Sequence, residues 1–229
     1  MEEYHWDLAN STKMGEYLTR REQKSITQFL KNNNVGICLD VACGSGRFSI
    51  PISRHGVKVV AVDRNLVPLK KLKDKLGDEE QIAVIRGDAN KLPFKESTFD
   101  CIVSIETADY LDVLNFFAGC NKILRKDGYL LVTSANNHSY KKYITSILSN
   151  DMIFYRYSFN DICACLQKNS FSLKICNGYN WIPFKRNSNS FLIDSFEFLE
   201  KMLKLDLRAS ISPWVFFVAK KEKRLNEEG

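Results

Sequence analysis

The chain has 229 residues, with 33 Lys and Arg against 27 Asp and Glu, a net charge of +6, and 45% apolar and 26% charged residues. That mixture excludes a disordered chain, a fibrous repeat and a disulfide-stapled miniprotein, and a chain of this length can bury a sizeable core unaided. The start, MEEYHWDLAN, lacks the basic cap and apolar core of a signal peptide, and no window approaches the roughly 18 apolar residues of a membrane-spanning helix. Seven cysteines form no CxxC pair, and Cys38, Cys43 and Cys101 sit inside apolar runs, so a reducing, cytoplasmic setting is expected. Lysines fall in scattered clusters (Lys70, Lys71, Lys73 and Lys75; Lys141 and Lys142; Lys220 to Arg224) with acids interleaved. They read as a solvated surface, and nucleic acid is not expected as a partner.

In chain order, the periodicity predicts a helix from Met14 to Leu30 with Leu18, Ile26, Phe29 and Leu30 on one side. Val35 to Cys43 reads as a buried strand, Gly46 to Arg54 as a helix, Lys58 to Asp63 as a second strand and Asn65 to Gly77 as a helix. Ile82 to Asp88 is the third strand, Phe99 to Glu106 the fourth, Asp109 to Arg125 a helix and Tyr129 to Ala135 the fifth strand. Strands alternating with helices make a doubly wound, largely parallel sheet. Asn160 to Asn169 reads as a helix, with strands over Phe171 to Asn177 and Trp214 to Lys221. Between these strands a helix from Ser190 to Leu205 carries Leu192, Phe196, Leu199 and Leu203, widened by Phe191, Phe198 and Met202. That stripe is wider than one docked helix needs, so it reads either as core packing or as a lid over a substrate. The tail from Lys220 is expected to fray.

Ligands of open α/β sheets bind beyond the carboxyl ends of the strands. The first strand ends in LDVACGSG, which puts Asp40 at the strand end and Gly44 and Gly46 where the backbone must turn tightly. The second ends in Asp63, an acid suited to gripping the two hydroxyls of a ribose. The third ends in Gly87-Asp88-Ala89 and the fourth near Glu106. GSGRFS imitates a dinucleotide-binding GxGxxG, but its third glycine is a serine. Asp40 would also sit close to an anionic pyrophosphate that a helix N-terminus should instead attract.

Leu39 to Gly46 resembles the LDxGxGxG signature of class I S-adenosylmethionine-dependent methyltransferases, with Ala42 where the first glycine usually stands. The acid of VVAVD, the GDA of the third strand, the LPF-x(4)-FD run and LRKDGYLLVT follow in that family's order. The likeness runs from Val35 to Ala135, and by strand pattern to Lys221. It implies a doubly wound, mostly parallel seven-stranded sheet with helices on both faces and the last strand antiparallel. It implies S-adenosylmethionine as cofactor, and a single domain over 1–229 with a helical lid (1–32), a cofactor-binding core (33–136) and a substrate-capping insertion (178–212). By the same resemblance, the loop from Asp40 through Ala42 and Gly44 to Gly46 wraps the methionine part, with Asp40 near its ammonium group. Asp63, followed by Arg64, holds the ribose. Asp88 accepts from the adenine amino group while Ala89 caps the ring edge. Glu106 lies near the methionine portion, and Tyr17 and Arg21 are candidates for its carboxylate. Alanine at position 42 is tolerated there unless a positive φ is required.

Methyl transfer from a sulfonium is an in-line displacement in which the protein mainly aligns the reactants. An alcohol or carbon acid would also need a general base, for which His138, just after the fifth strand, and Asp109, beyond the fourth, are the candidates. His5 and His55 read as bystanders, and no residue spacing suggests a metal site. No Asn/Asp-Pro-Pro-aromatic run follows the fourth strand, and the aromatics Tyr179, Trp181, Phe184 and Phe191 suit an apolar or ring-containing acceptor. A small-molecule, sugar or lipid-linked acceptor, methylated on oxygen or nitrogen, is therefore expected. Two alternatives remain: an RNA or protein acceptor, if the lysine clusters form one face beside the pocket, and a non-catalytic scaffold, which Ala42 keeps open. The oligomeric state is not legible.

Overall fold

The computed structural model describes residues 4–77, 81–143 and 155–222, so the expected frayed tail lies, from residue 223 on, outside the described residues. The strands are β1 (Ile37–Val41), β2 (Lys58–Asp63), β3 (Ile82–Arg86), β4 (Phe99–Ser104), β5 (Leu124–Ala135), β6 (Phe171–Tyr179) and β7 (Trp214–Lys221). They form one sheet in the order β3–β2–β1–β4–β5–β7–β6. From β3 to β5 the neighbours run parallel, and β7 lies antiparallel between β5 and β6. The expected fold class, with an antiparallel last strand, is what the structure shows. Because β1 is flanked by β2 on one side and β4 on the other, the strand order reverses there. The crevice beyond β1 and β4 is the switch point at which such sheets bind ligands.

The described helices are α1 (His5–Asn10), α2 (Lys13–Asn32), α3 (Ser49–Ser53), α4 (Leu66–Lys75), α5 (Val113–Ile123), α6 (Phe159–Lys168) and α7 (Ile193–Met202). One core joins Met14, Leu18, Ile26 and Phe29 of α2 and Leu72 of α4 to Cys38, Ala61 and Val103 of the sheet. The other packs Phe116 and Phe117 of α5 and Ile162 and Leu166 of α6 against Leu39, Ile102 and Leu130. Strands covered on both faces must be apolar nearly throughout, which is why they read as continuous runs.

Several boundaries differ from the sequence reading for local reasons. α3 starts at Ser49 rather than Gly46, whose φ of +86° is not helical. α5 starts at Val113 rather than Asp109, because the Asp112 carboxylate accepts from the amides of Leu114 and Asn115 and so caps the helix there. β5 begins at Leu124, which pairs with Phe99 across a register shift. α7 is shorter than expected and buries only Ile193 and Glu200, so most of its broad apolar stripe faces water. Periodicity placed no helix at residues 5–10, where the short α1 borders the site.

Candidate functional site

The loop after β1 is fastened on both sides. Cys43 N donates to Val62 O at 3.0 Å and Gly44 N to Asp63 Oδ2 at 3.0 Å, while Asp63 Oδ1 accepts from Asn65 N at 2.8 Å. Three loop residues take left-handed backbone: Ala42 at +58°, Gly44 at +54° and Gly46 at +86°. The condition that would make alanine costly at position 42 is therefore met. Beneath the loop, Asp40 is 2% exposed and accepts from the Ser49 hydroxyl. Burial pushes its carboxyl up to about 7, against the pull of that hydrogen bond.

Around this loop lies a cavity of about 370 Å³, within the range of small-molecule sites. Asp40, Ala42, Gly44, Asp63, Arg64, Asp88, Ala89 and Glu106 all border it, brought together from the ends of β1 to β4. Asp88 is exposed and accepts from the Asn90 backbone and side-chain amides, which hold its carboxyl below the ordinary range. Residue 4 and α1 close the cavity from above with Tyr4, His5, Trp6, Asp7 and Asn10. α1 is tied down where Asp7 accepts from the Ser45 hydroxyl and meets Lys71 Nζ at 3.6 Å. Burial, then the charges of Asp63 and Asp7, push the Tyr4 phenol up, so it stays protonated.

A buried ion network forms one wall. Arg47 reaches Glu106 at 3.0 Å and Glu22 at 3.3 Å, and Arg186 reaches Glu106 at 2.6 Å. Glu106, at φ +57°, donates its backbone N–H to Thr133 Oγ1 at 2.7 Å. Burial favours its neutral form, but the two guanidinium groups prevail and hold its carboxyl below the ordinary range. Glu22 goes the other way: burial and the neighbouring Glu106 charge push it up, and it accepts from the Tyr179 hydroxyl at 2.7 Å. Arg186 also stacks over the Trp6 ring at 5.2 Å and donates to Asn10 Oδ1, joining the segment before α7 to α1.

Five residues proposed from sequence do not border this cavity. Gly46 faces α4 instead, where a Cβ would stand 2.3 Å from Leu72 Cδ1. Tyr17 is fully buried with its hydroxyl donating to Glu200, and Arg21 borders a separate cavity of about 100 Å³ between α2 and β6. Asp109 is 5% exposed and works as a staple, accepting from Ala135 N at 3.3 Å and Arg156 N at 3.0 Å; burial lifts its carboxyl to about 6. His138 is exposed beside Asp161 of α6. His5, read from sequence as a bystander, does border the cavity. Arg47 and Arg186 were missed. Arg47 stands directly after the glycine loop and could have been weighed there, whereas nothing in sequence links Arg186 to Glu106.

Several lysines of the clusters are engaged rather than free in solvent. Lys71 pairs with Asp7, Lys75 donates to Ser45 O at 3.2 Å, and Lys141 is 9% exposed, donating to Asn180 Oδ1 at 2.6 Å. Among the described residues no group of three His, Cys, Asp or Glu could hold a metal ion, and no helix is long and apolar enough to cross a membrane.

A doubly wound sheet with a glycine loop after β1, an acid ending β2 and a carboxylate-lined cavity at the switch point is an arrangement built to hold a small ligand. In comparison with known proteins, residues 39–132 match the family model described as a methyltransferase domain. The chain is 32% identical over 136 residues to the ubiquinone/menaquinone biosynthesis C-methyltransferase UbiE of Blochmanniella pennsylvanica, covering 56% of this chain and 52% of that protein. It is 26% identical over 162 residues to the ubiquinone biosynthesis O-methyltransferase of Pelagibacter ubique, covering 62% and 64%. The chain thus spans less than two thirds of either relative. A SAM-dependent methyltransferase structure from Thermotoga maritima superposes with a TM-score of 0.61 at 18% identity, over 90% of this chain and 93% of that one, and shares the fold.

Proposed function

We propose that this chain transfers a methyl group from S-adenosylmethionine to a small organic acceptor by in-line displacement. The observation that carries the reading is the cavity at the β1/β4 switch point with Asp40, Asp63 and Asp88 on its wall. Such a lining suits a cationic, hydroxyl-bearing ligand and repels a pyrophosphate. Each Asp63 oxygen accepts one backbone N–H and keeps a lone pair for a ribose hydroxyl. Asp40 would face the ammonium group, Arg47 the carboxylate, and Asp88 with the Ala89 backbone the adenine edge.

When bound, the cofactor supplies an electrophilic methyl group on a sulfonium. The chain then has to orient and exclude water, and Tyr4 and Trp6 are placed over the cavity to do both. The printed names of the relatives, C- and O-methyltransferases of quinone biosynthesis, support an organic acceptor rather than a macromolecule. Seven free cysteines support a reducing, cytoplasmic setting. Calorimetric titration with S-adenosylmethionine and its demethylated product tests the cofactor site. Micromolar binding by the wild type, weakened at least about tenfold in Asp63→Asn, is the expected result. A folded protein that binds neither ligand overturns the reading.

A further inference from the structure

Large apolar side chains left in water concentrate on one segment. Phe191, Phe198, Met202, Leu203 and Leu207, on α7 and its flanks, are 77%, 68%, 59%, 52% and 73% exposed. A contiguous patch of this kind marks a surface that meets something apolar. The exposed charges across 185–211 lean positive: Lys185, Lys201, Lys204 and Arg208 against Asp194, with Asp206 partly exposed. Glu197, half-buried, is already engaged by Arg20 and Lys201 at 2.9 and 2.8 Å.

The charge pattern chooses the occupant. A second copy meeting this face through a two-fold axis would set the same cations against one another. An anionic lipid surface accommodates both features, taking rings and methyls below the headgroups and the cations among the phosphates. The segment also stands at the right end of the molecule. It joins the end of β6 to the start of β7, and Trp214 at that start pairs with Ala135 at the carboxyl end of β5. That is the sheet edge holding the cavity, and Arg186 of the same segment reaches Glu106 on the cavity wall.

We infer that the 185–211 face docks this chain on an anionic lipid surface, and that the methyl acceptor is a lipid-borne molecule presented there. The second half rests on the methyl-transfer reading; the docking does not.

The test is flotation of the full chain with vesicles of phosphatidylcholine alone and of phosphatidylcholine with roughly a third phosphatidylglycerol, with S-adenosylmethionine titrated into the same preparation. The protein should float with the anionic vesicles, much less with the neutral ones, and lose binding as salt rises. Phe198→Ser with Leu207→Ser should cut vesicle binding at least about tenfold. Lys204→Glu with Arg208→Glu should cut it at least about fivefold on anionic vesicles. Both variants change exposed side chains and should keep wild-type melting and cofactor affinity. Docking is overturned if the wild type does not float or if neither pair of substitutions matters. It is equally overturned if the wild type is a dimer that Phe198→Ser dissociates, which would make a second copy the occupant. Flotation without cofactor binding leaves docking intact and removes the lipid acceptor, so the two readings fail separately.

Discussion

Ala42→Gly should make this protein more stable, an unusual result for a glycine placed in a loop. Ala42 has a φ of +58°, and left-handed backbone costs an L-residue about 1–2 kcal/mol. The loop cannot relax out of it: the Cys43 amide is bonded to Val62 O, and Asp40 is held by Ser49. Glycine removes the clash but brings a greater entropy loss on folding, about 0.5–1 kcal/mol. The net gain is therefore about 0.5–1 kcal/mol, which for a domain of this size raises Tm by about 1–4 °C. Thermal unfolding and the urea midpoint measure it, and cofactor affinity should be equal or tighter. Gly44→Ala is the mirror control. Its φ is +54° and the new Cβ would stand 3.4 Å from the Tyr4 hydroxyl, so a loss of about 1–2 kcal/mol is expected. A lower Tm for Ala42→Gly, or no loss for Gly44→Ala, would refute the strain argument.

Gly46→Ala should be worse than Gly44→Ala, because its Cβ meets Leu72 Cδ1 at 2.3 Å on top of a φ of +86°; a loss of about 2–4 kcal/mol is expected in urea unfolding. Asp40→Asn tests a pH effect. The folded carboxyl sits at about 7 against an ordinary 3.8, so the stability it contributes is complete below about pH 4 and is lost as pH rises through 7. The wild type should decline across that window by up to about 1.4 kcal/mol per pH unit, and the neutral asparagine should flatten the decline; an unchanged slope rejects the assignment. Arg186→Met leaves buried Glu106 with Arg47 alone at 3.0 Å, costing about 1–3 kcal/mol, less than a fully broken buried pair. Because the arginines depress the Glu106 carboxyl, the stability it contributes is present above its ordinary range and lost as pH falls. Acid unfolding of the variant should therefore begin at a higher pH than in the wild type.

The residue string alone determined the parts of this protein that depend on local chemistry. Strands covered on both faces must be apolar throughout, so β1, β2, β4 and β7 could be read from their runs. Turns against a ligand need glycine and strand-end acids, so Asp40, Asp63, Asp88 and Glu106 were legible as cavity-facing residues before any coordinates. Tertiary structure decided what depends on distance across the fold. Tyr17 and Arg21 lie on the correct helix, but α2 rolls its tyrosine into the core against Glu200 and turns Arg21 toward β6. His138 and Asp109 follow the proper strands, yet one faces α6 and the other is taken up by the amides of Ala135 and Arg156. Periodicity gave no reason to place a short helix at residues 5–10, because α1 buries no residue of its own and is held by long-range contacts with residues such as Ser45, Arg47, Lys71 and Arg186. The Glu106–Arg186 pair joins residues 80 apart, and a pairing at that separation exists only once the sheet has brought its carboxyl ends together.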